Sequence, residues 1–517
     1  MTGPQVDTTS GRIEGTHEDD LSVFLGVPYA APPTGERRFQ PPQPVAGWTG
    51  VRPAVEFGTM AMQLTGGGGR RSALGGGPPV AAGEDCLTLN VWTPGLTGAR
   101  PVLVWLHGGG YSVGNSSRDL YNGANMSRRN DVVVVSANHR LGIFGFLSLG
   151  ELLGDRYADS ANVGMLDWVA VLEWVRDNIA RFGGDPESVT IFGESGGGGK
   201  VSALLCMPRA VGLFHRAIIE SGPPFQFPDQ EKATATARKV VAHLGLSAAE
   251  LDTLLTLDAQ KLLDVQVALG AGGGPSPGGM SFAPTVDGRV LPQYPEQALT
   301  TGASADIPLI IGTNRDEARF MIVMAPHLAD GGEAIEEAEL IKRLQPGFDN
   351  DVAPLIDRYR TVYPELSNID LLLAIESDQF RIRSIRLAEH KARGSRAPVY
   401  SYLFCWRTDT LAGLGSFHGL EMPFVFANLT TMRGLATSPG AERLADRMCS
   451  LWGAFARTGI PSLDGLPGWE PFTPAERATM VIDDEWRLEK DPLAETRRFW
   501  DDMSTGPETR PWSRVIR

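Results

Sequence analysis

Four cysteines in 517 residues are too few and too scattered to brace this chain. Cys86, Cys206, Cys405 and Cys449 show neither CxxC nor CxxH spacing. That excludes a zinc ribbon and a disulfide framework, and leaves four reduced, mostly buried thiols as the expectation. Long hydrophobic runs are also missing: none approaches the roughly 18 residues a membrane span requires. The opening stretch MTGPQVDTTSGRIEG has neither a basic start nor an apolar core, so no secretory signal is expected and a cytoplasmic location is. Positive charge is scarce too. The net charge is −14, with acidic and basic residues interspersed, which argues against nucleic acid or an anionic membrane as partner.

What is present is ample core material, 42% of the residues being hydrophobic, without a Pro/Ser-rich linker to divide it. One domain over residues 1–517 is therefore expected, with insertions around 64–83, 265–282 and 333–393. Up to about Pro94, short runs such as LSVFLGVPYA and DCLTLNVWTP read as antiparallel strands at a sheet edge. Thr65 to Gly83 and Leu269 to Met280 are glycine-rich enough to predict mobile loops. From Pro101 onward, PVLVWL, DVVVVSAN, SVTIFG, RAIIES, IPLIIGTN and APVYSYLF are buried strands, several of them separated by helical segments. Met165, Trp168, Leu172, Val175 and Ile179 recur at helical spacing and are expected to cover one face. The pattern predicts an α/β fold with a doubly wound, mostly parallel sheet, whose ligands bind beyond the carboxyl ends of the strands. The helix-rich stretch from Glu333 to Arg393 is placed as a lid, a pocket wall or a packing excursion, and Glu442 to Arg457 as a long helix docked on the core.

The run VTIFGESGGGGK carries the first chemical signal. Gly193, Glu194, Ser195, Gly196 and Gly197 form GxSxG between a strand and a helix, the arrangement that exposes a nucleophilic serine on a strained turn. The glycines ending in Lys200 do not make a phosphate loop. GxxxxGK[ST] would need Gly where Glu194 stands and Ser or Thr where Val201 stands.

A serine hydroxyl at its ordinary pKa needs an imidazole to take its proton and a carboxylate to orient that imidazole. In such a fold the chain order is serine, acid, histidine. Of the histidines that follow a possible acid, His327 comes too soon after it. His390 precedes a strand at the wrong rim, and His418 follows the strand VYSYLF at the right one. The acid should follow PLIIGTN, where spacing leaves Asp316 and Glu317 both open; Asp306 lies at the opposite rim. His107 to Gly110, reading HGGG after PVLVWL, supplies bare backbone suited to a developing oxyanion, with the amide of Gly196 completing the donor set.

These motifs, with FLGVPYAAPPTGERRF, EDCLTLNVW, NHRLGIFGFL, NVGMLDW, FAPTVDG, GTNRDEARF and HGLEMPFVF, closely resemble the type B carboxylesterase and cholinesterase family of α/β hydrolases over nearly the whole length. The resemblance implies a Ser195, Glu317, His418 triad, the second carboxylate of NxDE being the catalytic one. It also implies an oxyanion hole from Gly109, Gly110 and Gly196, supporting roles for Glu194 and Ser221, and structural ion pairs Arg38–Glu84 and Arg140–Asp167. No cofactor or metal is implied. Two departures stand out. Ala61 replaces the usual disulfide partner of Cys86, and Gly196 stands where relatives usually carry alanine. No aromatic residue lies between Met62 and Asp85, where cholinesterases place a tryptophan for the choline cation.

The expected function is hydrolysis of small to medium, largely apolar esters through an acyl-enzyme, with Pro223, Phe225 and Phe227 as candidate acyl-pocket residues. Alternatives are an amide or carbamate hydrolase using the same triad, and a non-catalytic adhesion homologue. Because His418 must be neutral to act, activity is expected to decline below about pH 6.5. Oligomeric state cannot be read from the residues.

Overall fold

Runs of Val, Ile and Leu without polar alternation offer no face to water and must be covered on both sides. The computed structural model, which describes residues 3–64, 76–223, 227–270, 282–320, 335–345, 348, 351–411 and 413–501, uses them in that way. Strands β1 (Thr16–Glu18), β2 (Leu21–Pro28), β3 (Thr88–Thr93), β4 (Arg100–Leu106), β5 (Val133–Ala137), β6 (Gly184–Glu194), β7 (Arg216–Glu220), β8 (Leu309–Asn314), β9 (Val399–Phe404), β10 (Ala478–Ile482) and β11 (Arg487–Lys490) make an 11-stranded sheet. Its order is β11-β10-β9-β8-β7-β6-β4-β5-β3-β2-β1. The stretch from β10 to β5 is parallel, while β11 at one end and β3, β2 and β1 at the other are antiparallel. A separate three-stranded sheet (Gln5–Asp7, Arg12–Glu14, Val51–Pro53) accounts for the rest of the early alternating runs.

Because side chains alternate along a strand, one sheet makes two cores. Val102, Val104 and Leu106 of β4, with Val133 and Val135 of β5, join one cluster. Leu103, Trp105, Val134 and Phe192 join the other. Helix α1 (Val163–Asn178) covers the first face with Met165, Trp168, Leu172 and Val175, followed by Ile179 just beyond its end. Helix α2 (Gly196–Leu204) begins at the end of β6. Helices α3 (Glu337–Leu344), α4 (Ala353–Val362) and α5 (Asn368–Gly394) share a third cluster that reaches Ala318 and Trp500. The second face is covered by α6 (Ala441–Thr458), which buries Leu444, Met448, Trp452 and Phe455. It stops at Gly459, whose left-handed φ of 76° suits a residue without Cβ and lets its N–H donate to Phe455 O.

The connections place the site. From β4 the chain steps to β5 on one side and then crosses to β6 on the other, so the winding direction reverses at β4 and β6. Loops leaving adjacent strands at such a point diverge and open a crevice. Those two loops carry HGGG and GESG.

Candidate active site

Strands β4 and β6 are paired up to Leu106 and Gly193, so His107 and Glu194 follow side by side at the carboxyl ends of the two strands. Ser195 then turns sharply, with φ 56° and ψ −123°, before α2 begins. Left-handed φ is unfavourable for a side-chain-bearing residue, and here it coincides with the candidate nucleophile. The turn is held by Ser195 N–H donating to Glu220 O (2.9 Å) and Gly199 N–H donating to Ser195 O (3.0 Å). Its tightness leaves no room for side chains. A Cβ on Gly197 would sit 1.9 Å from Leu106 O, and one on Gly196 would sit 2.2 Å from Gly110 O. Among the described residues, the N–H groups of Gly109, Gly110 and Gly196 have no hydrogen-bond acceptor. Gly109 and Gly110 both take positive φ, 94° and 64°.

The acid follows β8 and the histidine follows β9, both at the rim where Ser195 stands. Glu317 is fully buried. Its Oε2 accepts from His418 Nδ1–H at 2.6 Å and its Oε1 accepts from Asn314 N–H at 2.8 Å. Asn314 Nδ2 donates to Phe417 O at 2.8 Å, so the same residue fixes the histidine loop. Asp316 turns away from this site. Its Oδ2 accepts from Ser416 N–H at 3.0 Å and lies 3.7 Å from Arg407. From α5, Ser377 Oγ accepts the N–H of Ala318 at 2.9 Å, and the Phe380 ring packs 5.3 Å from the imidazole. The helix-rich segment thus braces the acid and histidine loops.

With Nδ1–H given to Glu317, His418 presents a basic Nε2. That atom lies 3.1 Å from Oε1 of Glu194, the residue immediately before Ser195. No hydrogen bond is made there, Glu194 Oε1 having no such partner among the described residues, so the approach becomes attractive once the imidazole is protonated. Ser221, with φ 49°, lies in the same buried region. Burial opposes charge on His418, but Glu194 and Glu317 outweigh it and hold the imidazolium up to about 9. Burial raises Glu194 to about 7, against the pull of His418. The acid limb of activity is therefore expected above pH 6.5, since two carboxylates stabilise the protonated imidazole.

Sequence reading missed three buried ionisable groups here. Glu220 pairs in register with Glu194, accepts Trp452 Nε1–H at 2.5 Å, and is pushed by burial to about 8. Glu421 accepts from Asn314 Nδ2 and is likewise driven well above the carboxylate range by burial, with Glu194 and Glu317 adding to the effect. Lys200 is wholly buried. The available signal was polarity in the wrong place: a carboxylate closing the apolar run RAIIE and another inside HGLEMPF.

The remaining expected contacts are present. Arg38 meets Glu84 at 2.5 Å, Arg140 meets Asp167 at 2.6 Å, and the four thiols are free and buried. Pro223 and Phe227 are buried, the latter edge-on to Tyr111 at 6.2 Å. Phe225 and His327 lie outside the described residues, as do most of the two glycine-rich tracts. Among the described residues no helix is long and apolar enough to cross a membrane.

The carboxylesterase family model matches residues 2–500. The chain is 35% identical to the para-nitrobenzyl esterase of Bacillus subtilis (strain 168), covering 96% of this chain and 98% of that protein. It is 36% identical to a phenmedipham hydrolase of Pseudarthrobacter oxydans, covering 94% and 96%. A crystal structure of the Geobacillus stearothermophilus carboxylesterase EST55 at pH 6.2 superposes with a TM-score of 0.84 at 37% identity, over 96% of this chain and 99% of that one. With that agreement in sequence and fold, the chain belongs to the carboxylesterase family of α/β hydrolases and is a serine hydrolase of carboxylic esters.

Proposed function

We propose that Ser195 attacks the ester carbonyl while His418 Nε2 takes its proton, and that Glu317 orients the imidazole and stabilises its charged form. The N–H groups of Gly109, Gly110 and Gly196 receive the oxyanion, with the N-terminus of α2 adding a favourable field. His418 then protonates the departing alcohol, and water resolves the acyl-enzyme by the same route in reverse. The observation that carries this reading is the 2.6 Å contact between His418 Nδ1 and Glu317, combined with the 3.1 Å approach of Nε2 to Glu194, the residue immediately before Ser195. The three amides without acceptors support it.

Pro223, Phe225 and Phe227 are assigned to an acyl wall, giving a preference for small to medium apolar esters. Residues 1–517 are read as one domain, with the helices around 333–393 walling the pocket. Four unpaired buried thiols fit a reducing compartment such as the cytoplasm.

The test compares matched aryl esters, carbamates and anilides of one acyl group with wild type and Ser195→Ala. Ester kcat/KM should exceed that for the anilide, and Ser195→Ala should lower kcat about a million-fold if the triad acts as a unit. Equal turnover of ester and anilide would favour an amidase. An active Ser195→Ala variant would move the chemistry elsewhere.

A further inference from the structure

A buried lysine must satisfy its donors, and Lys200 does so on the loop that carries the proposed oxyanion hole. It lies on α2, and its Nζ donates to His107 O and to Gly110 O, each at 3.0 Å. The ammonium also sits 5.4 Å from the centre of the Tyr111 ring. The intervening carbonyls are held as well: His107 Nδ1–H donates to Gly108 O at 2.9 Å and Val113 N–H donates to Gly109 O at 3.2 Å. Each carbonyl from His107 to Gly110 is thereby fixed by a donor behind it. Peptide planes pinned through their oxygens have their N–H directions set, while the N–H groups of Gly109 and Gly110 keep no acceptor among the described residues.

The same contact explains an oddity of the sequence. Gly110 comes so close to the nucleophile turn that a Cβ on residue 196 would lie 2.2 Å from its oxygen and 2.5 Å from its Cα. Contacts this short against backbone cannot be relieved by turning a side chain. With Lys200 drawing Gly110 O onto α2, the space an alanine methyl needs at position 196 is already taken.

We propose that Lys200 is a positioning residue for the oxyanion hole, tying the HGGG loop to the nucleophile helix, and that Gly196 is the matching change that makes room for the loop so held. The proposal rests on the oxyanion reading given above. Lys200 touches no reacting atom: it holds the two peptide planes on either side of those that carry the Gly109 and Gly110 N–H groups, whose own oxygens are held by His107 Nδ1–H and Val113 N–H, and so it fixes both ends of the loop that presents these amides. Burial pulls its ammonium down to about 7. A neutral amine still has two N–H groups for the two carbonyls.

The experiment is a double-mutant cycle of Lys200→Met and Gly196→Ala, read by kcat, KM and the affinity of a trifluoromethyl ketone, which becomes an oxyanion-bearing adduct when bound. Donors aimed only at the transition state raise kcat without changing KM. Lys200→Met should therefore lower kcat about ten- to a hundred-fold, part of the hundred- to thousand-fold that one oxyanion donor supplies. KM should stay within about twofold, and the ketone should weaken by the same factor as kcat. Gly196→Ala in the wild-type background should do likewise. In the Lys200→Met background it should cost less than about threefold more, because the loop is free to yield. Lys200→Gln, which keeps two N–H donors, should recover part of the loss. Unchanged kcat in Lys200→Met, or two losses that simply multiply, would overturn the proposal. If Lys200→Met does not fold, Gly196→Ala decides alone, full activity and full ketone affinity in it being the contrary result. An active Ser195→Ala variant would instead indict the triad, so the two failures are distinguishable.

Discussion

Two buried clusters of ionisable groups in this protein are built on opposite terms. On one side, Arg140 and Asp167 are 3% and 0% exposed and every contact is answered. Arg140 reaches Asp167 through Nε at 2.9 Å and Nη2 at 2.6 Å, its N–H donates to the same carboxylate at 3.0 Å, and Nη1 donates to Gln40 O at 2.7 Å. Behind His418, by contrast, Glu194, Glu220 and Glu421 are equally buried, and each has one carboxylate oxygen without a hydrogen-bond partner among the described residues. Buried charge that is paired fixes architecture. Buried carboxyl groups left underpaired have raised pKa values instead, and here they lie beside His418, the proposed base.

The sharpest break of this contrast comes from the paired side. Asp167→Ala strands a buried guanidinium and should cost about 3–5 kcal/mol of stability in urea melts. The pH profile of the enzyme that still folds should not move. An unchanged melt would mean that the pair is not the anchor it looks like.

On the underpaired side the response should be in proton affinity. Glu194 stabilises the imidazolium of His418, so the neutral base needed for catalysis appears only at higher pH. Glu194→Gln removes that charge and should move the acid limb of kcat/KM downward, toward the ordinary histidine value of about 6.5. A limb that stays put would show that Glu194 is neutral throughout.

A third effect belongs to Glu220. Its folded-state pKa, about 8, lies above the ordinary 4.5, so between those values the native state holds a proton that the unfolded state has released. Stability is therefore full below pH 4.5 and falls as pH rises toward 8. Glu220→Gln mimics the protonated carboxyl, and should raise the melting temperature at pH 8 while leaving it unchanged near pH 4.5. Destabilisation at both pH values would contradict this account.

How far the sequence could lead follows from which physics it exposes. Strand period and length marked the parallel strands, because residues buried on both faces must be apolar throughout. The rim rule then separated His418 from His390, which indeed lies near the end of α5, before β9. Spacing could not separate Asp316 from Glu317, since neighbouring residues on a turn point in different directions and only the fold decides. Here Asp316 is taken by Ser416 N–H and Glu317 by His418. Lys200 was legible only as a failed phosphate-loop lysine, because its partners are carbonyls 93 and 90 residues away. The proton affinity of His418 was out of reach for a related reason. The carboxylates that raise His418 come from β6 and the loop after β8, and only folding brings them together.

The central claim is that Ser195, His418 and Glu317 act as one unit at the rim of the sheet. Its most direct test is labelling with a fluorophosphonate, followed by intact-mass measurement and peptide mapping, in wild type and His418→Ala. A single adduct on Ser195, formed quickly in wild type and far more slowly in His418→Ala, is the expected result. An adduct on another residue, or equal labelling rates in the two proteins, would contradict it.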